Sequence, residues 1–189
     1  MTATPVTASP PLLLTRPVIL VGLMGAGKST VGRRLATTLG LPFIDSDNEI
    51  VEAAGCSIAD IFETYGEAIF RDLEQRVLIR LVSSEPCVIA TGGGAFINPM
   101  IREAIKNKGT SIWLKASLNV LLDRVSRRDS RPLLKAGDKG VILSKLMEER
   151  YPVYEQADIV IDSDAGLHDA IVESIINALR ERLGAEVHS

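Results

Sequence analysis

The stretch Gly22-Leu-Met-Gly-Ala-Gly-Lys-Ser-Thr30 sets three glycines, a lysine and two hydroxyls side by side. It fits G-x-x-x-x-G-K-[ST], the phosphate-binding loop. Glycine at 22, 25 and 27 lets the backbone take positive φ and approach a ligand closely. Successive N–H groups can then form an anion nest backed by a helix N-terminus. Lys28 adds a point charge for β- and γ-phosphates, and the Ser29 hydroxyl is placed to bind Mg2+. The chemistry this implies is phosphoryl transfer from a nucleoside triphosphate.

Four further segments carry groups that could serve an acceptor. Asp45-Ser-Asp47 holds two carboxylates two residues apart, suited to metal organisation and proton acceptance, or to capping a helix at Asn48. Gly92-Gly-Gly94 is either a tight turn or a place where backbone comes close to a small ligand. Arg71 lies four residues from Glu67 and three from Glu74, which fits a solvated ion pair as well as a fork for a carboxylate. Arg150 follows Glu148-Glu149 and leaves the same choice open. Arg124, Arg127, Arg128, Arg131 and Lys135 sit in a segment that resists helix through Asp129-Ser130, Pro132 and Gly137. It reads as a basic lid over transferring phosphate, or as a solvated loop. It lacks the interleaved aromatics of a nucleic-acid site.

These groups need a scaffold. Strands are predicted at 18–21, 42–45, 87–90, 110–114 and 158–161. Helices are predicted at 28–39 (ended by Gly40), from the Ser57-Ile-Ala-Asp60 capping signal, and at 67–82. Further helices follow from Asn98-Pro99 to about 106, from a Ser117 cap to about 127, and at 141–154 and 167–183. Strands separated by helices indicate an α/β fold with a five-stranded parallel sheet flanked by helices on both faces. In such sheets ligands sit beyond the carboxyl ends of the strands. The loop, the Asp-Ser-Asp segment and the glycine triplet each follow a strand, so they are expected to converge on one crevice.

The 189 residues suit one domain, read as 17–184 with a lid at about 124–140. Residues 1–16, rich in Thr, Ala, Ser and Pro, read as a disordered leader, and 185–189 as a flexible tail. A net charge of −3 lends no support to general nucleic-acid or membrane-surface binding. No run approaches the roughly 18 apolar residues of a membrane helix. Cys56 and Cys87 have no metal-ligand spacing, Cys87 reads as a small core residue, and His168 and His188 are poor ligand candidates. A reducing, cytoplasmic setting fits.

Taken together, the phosphate loop, Asp-Ser-Asp, Phe70-Arg71-Asp-Leu-Glu74, Gly-Gly-Gly, Arg131-Pro-Leu-Leu134 and Glu149-Arg150-Tyr-Pro-Val-Tyr154 resemble the shikimate kinase family, in its order and over most of the chain. The resemblance implies a three-layer architecture of the P-loop nucleoside-monophosphate-kinase type. It implies transfer of the ATP γ-phosphate to the 3-hydroxyl of shikimate, a step toward chorismate and the aromatic amino acids. Carried over, Gly25, Ala26, Gly27, Lys28, Ser29 and Thr30 would hold ATP, with Arg124 assisting at adenine or phosphate. Asp47, Arg71 and Arg150, with the turn Gly92, Gly93 and Gly94, would hold shikimate, the two arginines on its carboxylate. Ser29 and Asp45 would position Mg2+. Lys28 and Arg131 would neutralise phosphoryl charge, and Asp47 would take the hydroxyl proton. A monomer is implied too. The leader departs from the family pattern and does not look like a plastid transit peptide, which favours a bacterial-type protein. Residues 162–166 fall where the family's adenine loop lies. The rival readings are a gluconate kinase or another small P-loop metabolite kinase, and a nucleotide-dependent binding module without turnover.

Overall fold

The computed structural model describes residues 12–127, 138–164 and 166–186. Residues 1–11 of the leader, lid residues 128–137 (Arg128, Arg131 and Lys135 among them), Ala165 and residues 187–189 lie outside the described residues.

Five strands, β1 (Val18–Val21), β2 (Phe43–Asp45), β3 (Val88–Ala90), β4 (Thr110–Lys115) and β5 (Ile159–Asp162), form one sheet in the order β2-β3-β1-β4-β5. Every pairing is parallel, with Val18 opposite both Val88 and Thr110. The apolar run of β1 is fully buried, as expected of the central strand of a two-sided sheet. Chain order reverses across β1, so its carboxyl end opens between those of β3 and β4. That is the position at which such sheets take ligands.

Helices α1 (Lys28–Leu39), α2 (Ser46–Ala54), α3 (Ile58–Val82), α4 (Pro99–Lys108), α5 (Leu118–Ser126), α6 (Lys139–Tyr154) and α7 (His168–Glu186) link and follow the strands. α1 packs on α7, while α3 packs on α2 and α4, and α5 on α6. Right-handed crossovers set the first pair on one face and the others on the opposite face. No helix among the described residues is long and apolar enough to cross a membrane.

Local signals in the chain account for most boundaries. Gly40 ends α1 in the left-handed conformation, its N–H donating to the carbonyls of Ala36 and Thr37. Ser57 and Asp60 form a reciprocal capping box. The helix they start and the one expected from residue 67 merge into α3, with non-helical backbone at Gly66 (φ 80°) where the two meet. Other expectations need correction. The cap of α2 at Asp45 continues into a nine-residue helix that the pattern did not separate out, and Ala95–Ile97 forms a 3-10 turn. Ser117 occupies the N-cap of α5, but its side chain accepts no helix N–H; its own N–H donates to Asp164 at 2.9 Å. Strand β5 starts one residue late, because the Asp158 carboxylate accepts from the N–H and hydroxyl of Ser111. Leu12 and Leu14 are half-buried against the core, so apolar packing begins upstream of residue 17. The α7 backbone continues to Glu186, beyond the expected start of the tail.

Trp113, the single tryptophan, is buried on β4, edge-on to Tyr151 with ring centroids 4.8 Å apart. Its indole N–H finds no hydrogen-bond partner among the described residues. Cys87 is buried as a small core residue, and burial pushes its thiol pKa up.

Candidate active site

A cavity of about 420 Å³ opens at the carboxyl ends of the strands. One wall is Gly25, Gly27, Lys28, Ser29 and Thr30; another is Asp45, Asp47, Gly92 and Gly93. Arg124 and His168 also line it. The three strand ends expected to converge therefore do so.

The loop has the backbone its composition requires. Gly22, Gly25 and Gly27 all have positive φ, and Gly27 sits at the N-cap of α1 with φ 94°. A side chain at that N-cap would be strained, so glycine is needed to turn the chain into the helix. The Lys28 ammonium is largely buried and donates to the carbonyls of Gly22 (2.7 Å) and Leu23 (2.9 Å). Ala26 is buried beneath the loop, not on the cavity wall. Its carbonyl accepts from the Ser163 hydroxyl at 2.9 Å and from Arg124 at 3.3 Å. Arg124 also donates to the Gly25 carbonyl and to both oxygens of Ser163, tying the loop to the segment after β5.

Asp45 serves both of its readings at once. Its Oδ1 caps α2 by accepting from the Asp47 N–H at 3.1 Å, and its Oδ2 accepts from the Ser29 hydroxyl at 2.9 Å. A hydroxyl and a carboxylate this close on the loop side of the cavity are hard oxygen donors, and so fit a Mg2+ ion. Ser46, between the two aspartates, is fully buried and accepts from the Gly92 N–H at 3.2 Å. It pins the glycine turn to the Asp-Ser-Asp segment.

The glycine triplet is there for space. None of its members has positive φ. A Cβ on Gly92 would stand 2.9 Å from Asp47 Oδ1 and 3.1 Å from Glu74 Oε1. One on Gly94 would stand 2.8 Å from Arg71 Nη1, and one on Gly93 3.4 Å from the Met24 nitrogen and 3.7 Å from Arg150 Nη1. The missing side chains of Gly92 and Gly94 make room for charged groups of the site, whereas a Cβ on Gly93 would meet only ordinary contacts. Arg71, Arg150 and Gly94 are not among the residues that line the cavity; Arg150 donates to the Gly93 carbonyl at 3.1 Å.

Arg71 lies between Glu74 (2.8 Å) and Glu67 (3.2 Å), over the ring of Phe70. Burial pulls its pKa down, but the hydrogen bonds and charges of the two glutamates outweigh that and hold it above the usual value. Glu74 is 1% exposed, and burial pushes its carboxyl above the ordinary range against the pull of Arg71. A neighbouring charge on Asp47 pushes the same way, while Arg150 pulls down. Glu74 is thus a buried member of the site, where the sequence reading saw only a surface partner for Arg71. Spacing held the signal: Phe70, Glu74, Val77, Leu78 and Leu81 share the buried face of α3. Ser46, Ser163 and Tyr154, whose hydroxyl donates to the Gly93 carbonyl, lay in segments the sequence singled out but carried no role of their own there. Their roles are long-range contacts with no local pattern.

The family model for shikimate kinase matches residues 24–180. A shikimate kinase of Paramagnetospirillum magneticum is 53% identical over 171 residues, spanning 90% of this chain and 88% of that protein. One of Mesorhizobium japonicum is 48% identical over 172 residues, spanning 91% of this chain and 85% of that protein. The solved structure of the Acinetobacter baumannii shikimate kinase in complex with shikimate superimposes with a TM-score of 0.85 at 38% identity, covering 89% of this chain and 94% of that one. The matched span takes in Gly25 through Arg150, on both sides of the cavity, and the chain belongs to the shikimate kinase family.

Proposed function

We propose that this ATP-dependent kinase transfers the γ-phosphoryl group of ATP to the 3-hydroxyl of shikimate, and that the two walls of the cavity divide the work. The observation that carries this reading is the single cavity lined by phosphate-loop residues on one side and by Asp47, Gly92 and Gly93 on the other. Gly25, Ala26, Gly27, Lys28, Ser29 and Thr30 would hold ATP, the loop's available backbone N–H groups donating to phosphate oxygens. Arg124 would brace the loop while facing the nucleotide. Arg71 and Arg150 would take the acceptor's carboxylate, and the Gly92–Gly94 turn would pack against the acceptor. Asp47 would orient the acceptor hydroxyl and receive its proton as the new O–P bond forms and the bond to the β,γ-bridging oxygen breaks. Lys28 would give up its loop carbonyls to follow the migrating charge, and Arg131 would add a second cation from the lid. Mg2+, held by Ser29 and Asp45, would supply charge neutralisation on the phosphates.

Transfer to an alcohol in competition with water requires water to be kept out, and the basic segment 124–140 is proposed as the lid that does so. Arg131→Ala should lower kcat roughly tenfold or more while leaving both KM values close to wild type. An unchanged kcat removes Arg131 from the mechanism. A monomeric working form and a cytoplasmic location belong to the same proposal, and the free thiols of Cys56 and Cys87 suit a reducing compartment.

The deciding experiment follows ADP release with shikimate, gluconate and AMP offered separately. Turnover with shikimate alone is expected. Comparable kcat/KM with gluconate would overturn the acceptor assignment. Nucleotide binding without turnover on any of the three would favour a binding module.

A further inference from the structure

Two side chains of α6, one helical turn apart, converge on one backbone oxygen. Arg150 Nη1 donates to the Gly93 carbonyl, and the Tyr154 hydroxyl donates to the same atom. Residues four apart share a helix face, so both reach the glycine turn from one side. The two donors occupy both lone pairs of that carbonyl. The N–H groups of Gly93 and Gly94 donate to no described residue.

Tyr154 has no exposed surface. Its ring lies among Trp113, Tyr151 and Phe96, with centroids 5.8, 6.2 and 6.3 Å away. Phenylalanine would fill that volume equally well, so core packing explains the ring and leaves the hydroxyl unexplained. A buried hydroxyl is costly unless it is hydrogen-bonded, and this one is spent on the peptide that faces the proposed acceptor. A ring held by three others cannot swing away, so its oxygen is a fixed point. Burial also raises the phenol pKa to about 12, which keeps it a donor at any working pH.

Resting on the reading that Arg71 and Arg150 hold the acceptor's carboxylate while the glycine turn packs against the acceptor, we propose that Tyr154 is a positioning residue for that carboxylate. Its hydroxyl clamps the Gly93 carbonyl. The planar Gly93–Gly94 peptide is thereby fixed, and with it the aim of the Arg150 guanidinium bound to the same oxygen. Without the hydroxyl the carbonyl keeps one donor, the peptide can tilt, and Arg150 tilts with it.

The test is Tyr154→Phe in the full chain. The KM for shikimate should rise about five- to tenfold, the worth of one well-placed hydrogen bond. The KM for ATP and the melting temperature should stay near wild type. With shikimate methyl ester, which lacks the carboxylate charge, the variant and the wild type should have equal kcat/KM. An unchanged shikimate KM, equal rises in both KM values, or the same loss with the ester would each overturn the proposal. Arg150→Lys separates the two levels of the argument. If it too leaves the shikimate KM unchanged, the carboxylate reading falls and takes this inference with it. If it raises that KM while Tyr154→Phe does not, only the inference falls. Should Tyr154→Phe fail to fold, a fluorinated tyrosine at 154 keeps ring and hydroxyl but ionises at lower pH. The shikimate KM should then climb with pH while the ATP KM stays flat, and a flat shikimate KM overturns the proposal.

Discussion

The two walls of the cavity are built by different means. The wall proposed for ATP comes from one continuous stretch, Gly22–Thr30, and relies on backbone: glycines of positive φ and a helix start. The wall proposed for the acceptor comes from α2 and the turn after β3, with charged side chains of α3 and α6 fitted against it. Glycine appears on both walls for opposite reasons. Gly27 supplies a conformation, whereas Gly92 and Gly94 supply empty space for Asp47, Glu74 and Arg71. A backbone cradle suits a group shared by many enzymes, the polyphosphate. An assembly of side chains can be altered one residue at a time, and is where discrimination between acceptors is expected to reside.

This contrast can be broken at several points. The largest effect is expected at Asp47. Asp47→Asn should cut kcat by about 10²–10⁴ if it removes the proton acceptor, with ATP affinity by calorimetry unchanged. Lost ATP affinity would show that the walls are not separable. Next, Arg71→Ala should raise the shikimate KM roughly 10- to 100-fold with the ATP KM within about twofold. Equal losses would sink the carboxylate role. A pair of alanine substitutions then probes the two uses of glycine. Gly27→Ala should raise the ATP KM and cost about 1–2 kcal/mol in chemical denaturation, since alanine resists left-handed backbone. Gly94→Ala should cost little stability but displace the Arg71 guanidinium and raise the shikimate KM about fivefold. Identical signatures would erase the distinction. The smallest effect is a pH dependence. Because the Glu74 carboxyl is raised on folding, the stability it contributes is present below its ordinary pKa and lost as pH rises through the raised value. Glu74→Gln should flatten the stability–pH curve in that window, and an unaltered curve would contradict the shift.

The same contrast explains how much could be read from the chain. Residues 22–30 announce their conformation, and the ligand proposed for them, because every needed group is adjacent in sequence. The sheet was legible too, since apolar runs bounded by glycine, proline and aspartate mark buried parallel strands. The boundaries that moved were those decided across the fold, such as β5, where Asp158 is taken by Ser111. The acceptor wall was visible as residue types but not as an arrangement. Spacing on α3 paired Arg71 with Glu67 and Glu74, yet burial alone separates them: the Glu67 side chain is 67% exposed and that of Glu74 is 2%. Ser46 and Tyr154 lay inside quoted motifs without a role of their own, because their partners lie 46 and 61 residues away.

Trp113 gives the molecule a built-in optical probe. It is the chain's one indole, it is buried, and its N–H has no partner among the described residues. Its emission should therefore be strongly blue-shifted, with no second fluorophore of its kind to confuse the signal. It lies beside both the loop and the aromatic layer under Gly93, since its Cδ1 would lie 3.4 Å from a Cβ placed on Gly22 and its ring packs against Tyr154. Shifts in the loop and shifts in the aromatic layer under Gly93 would both reach the same chromophore, so binding on either side can be titrated by light without a label.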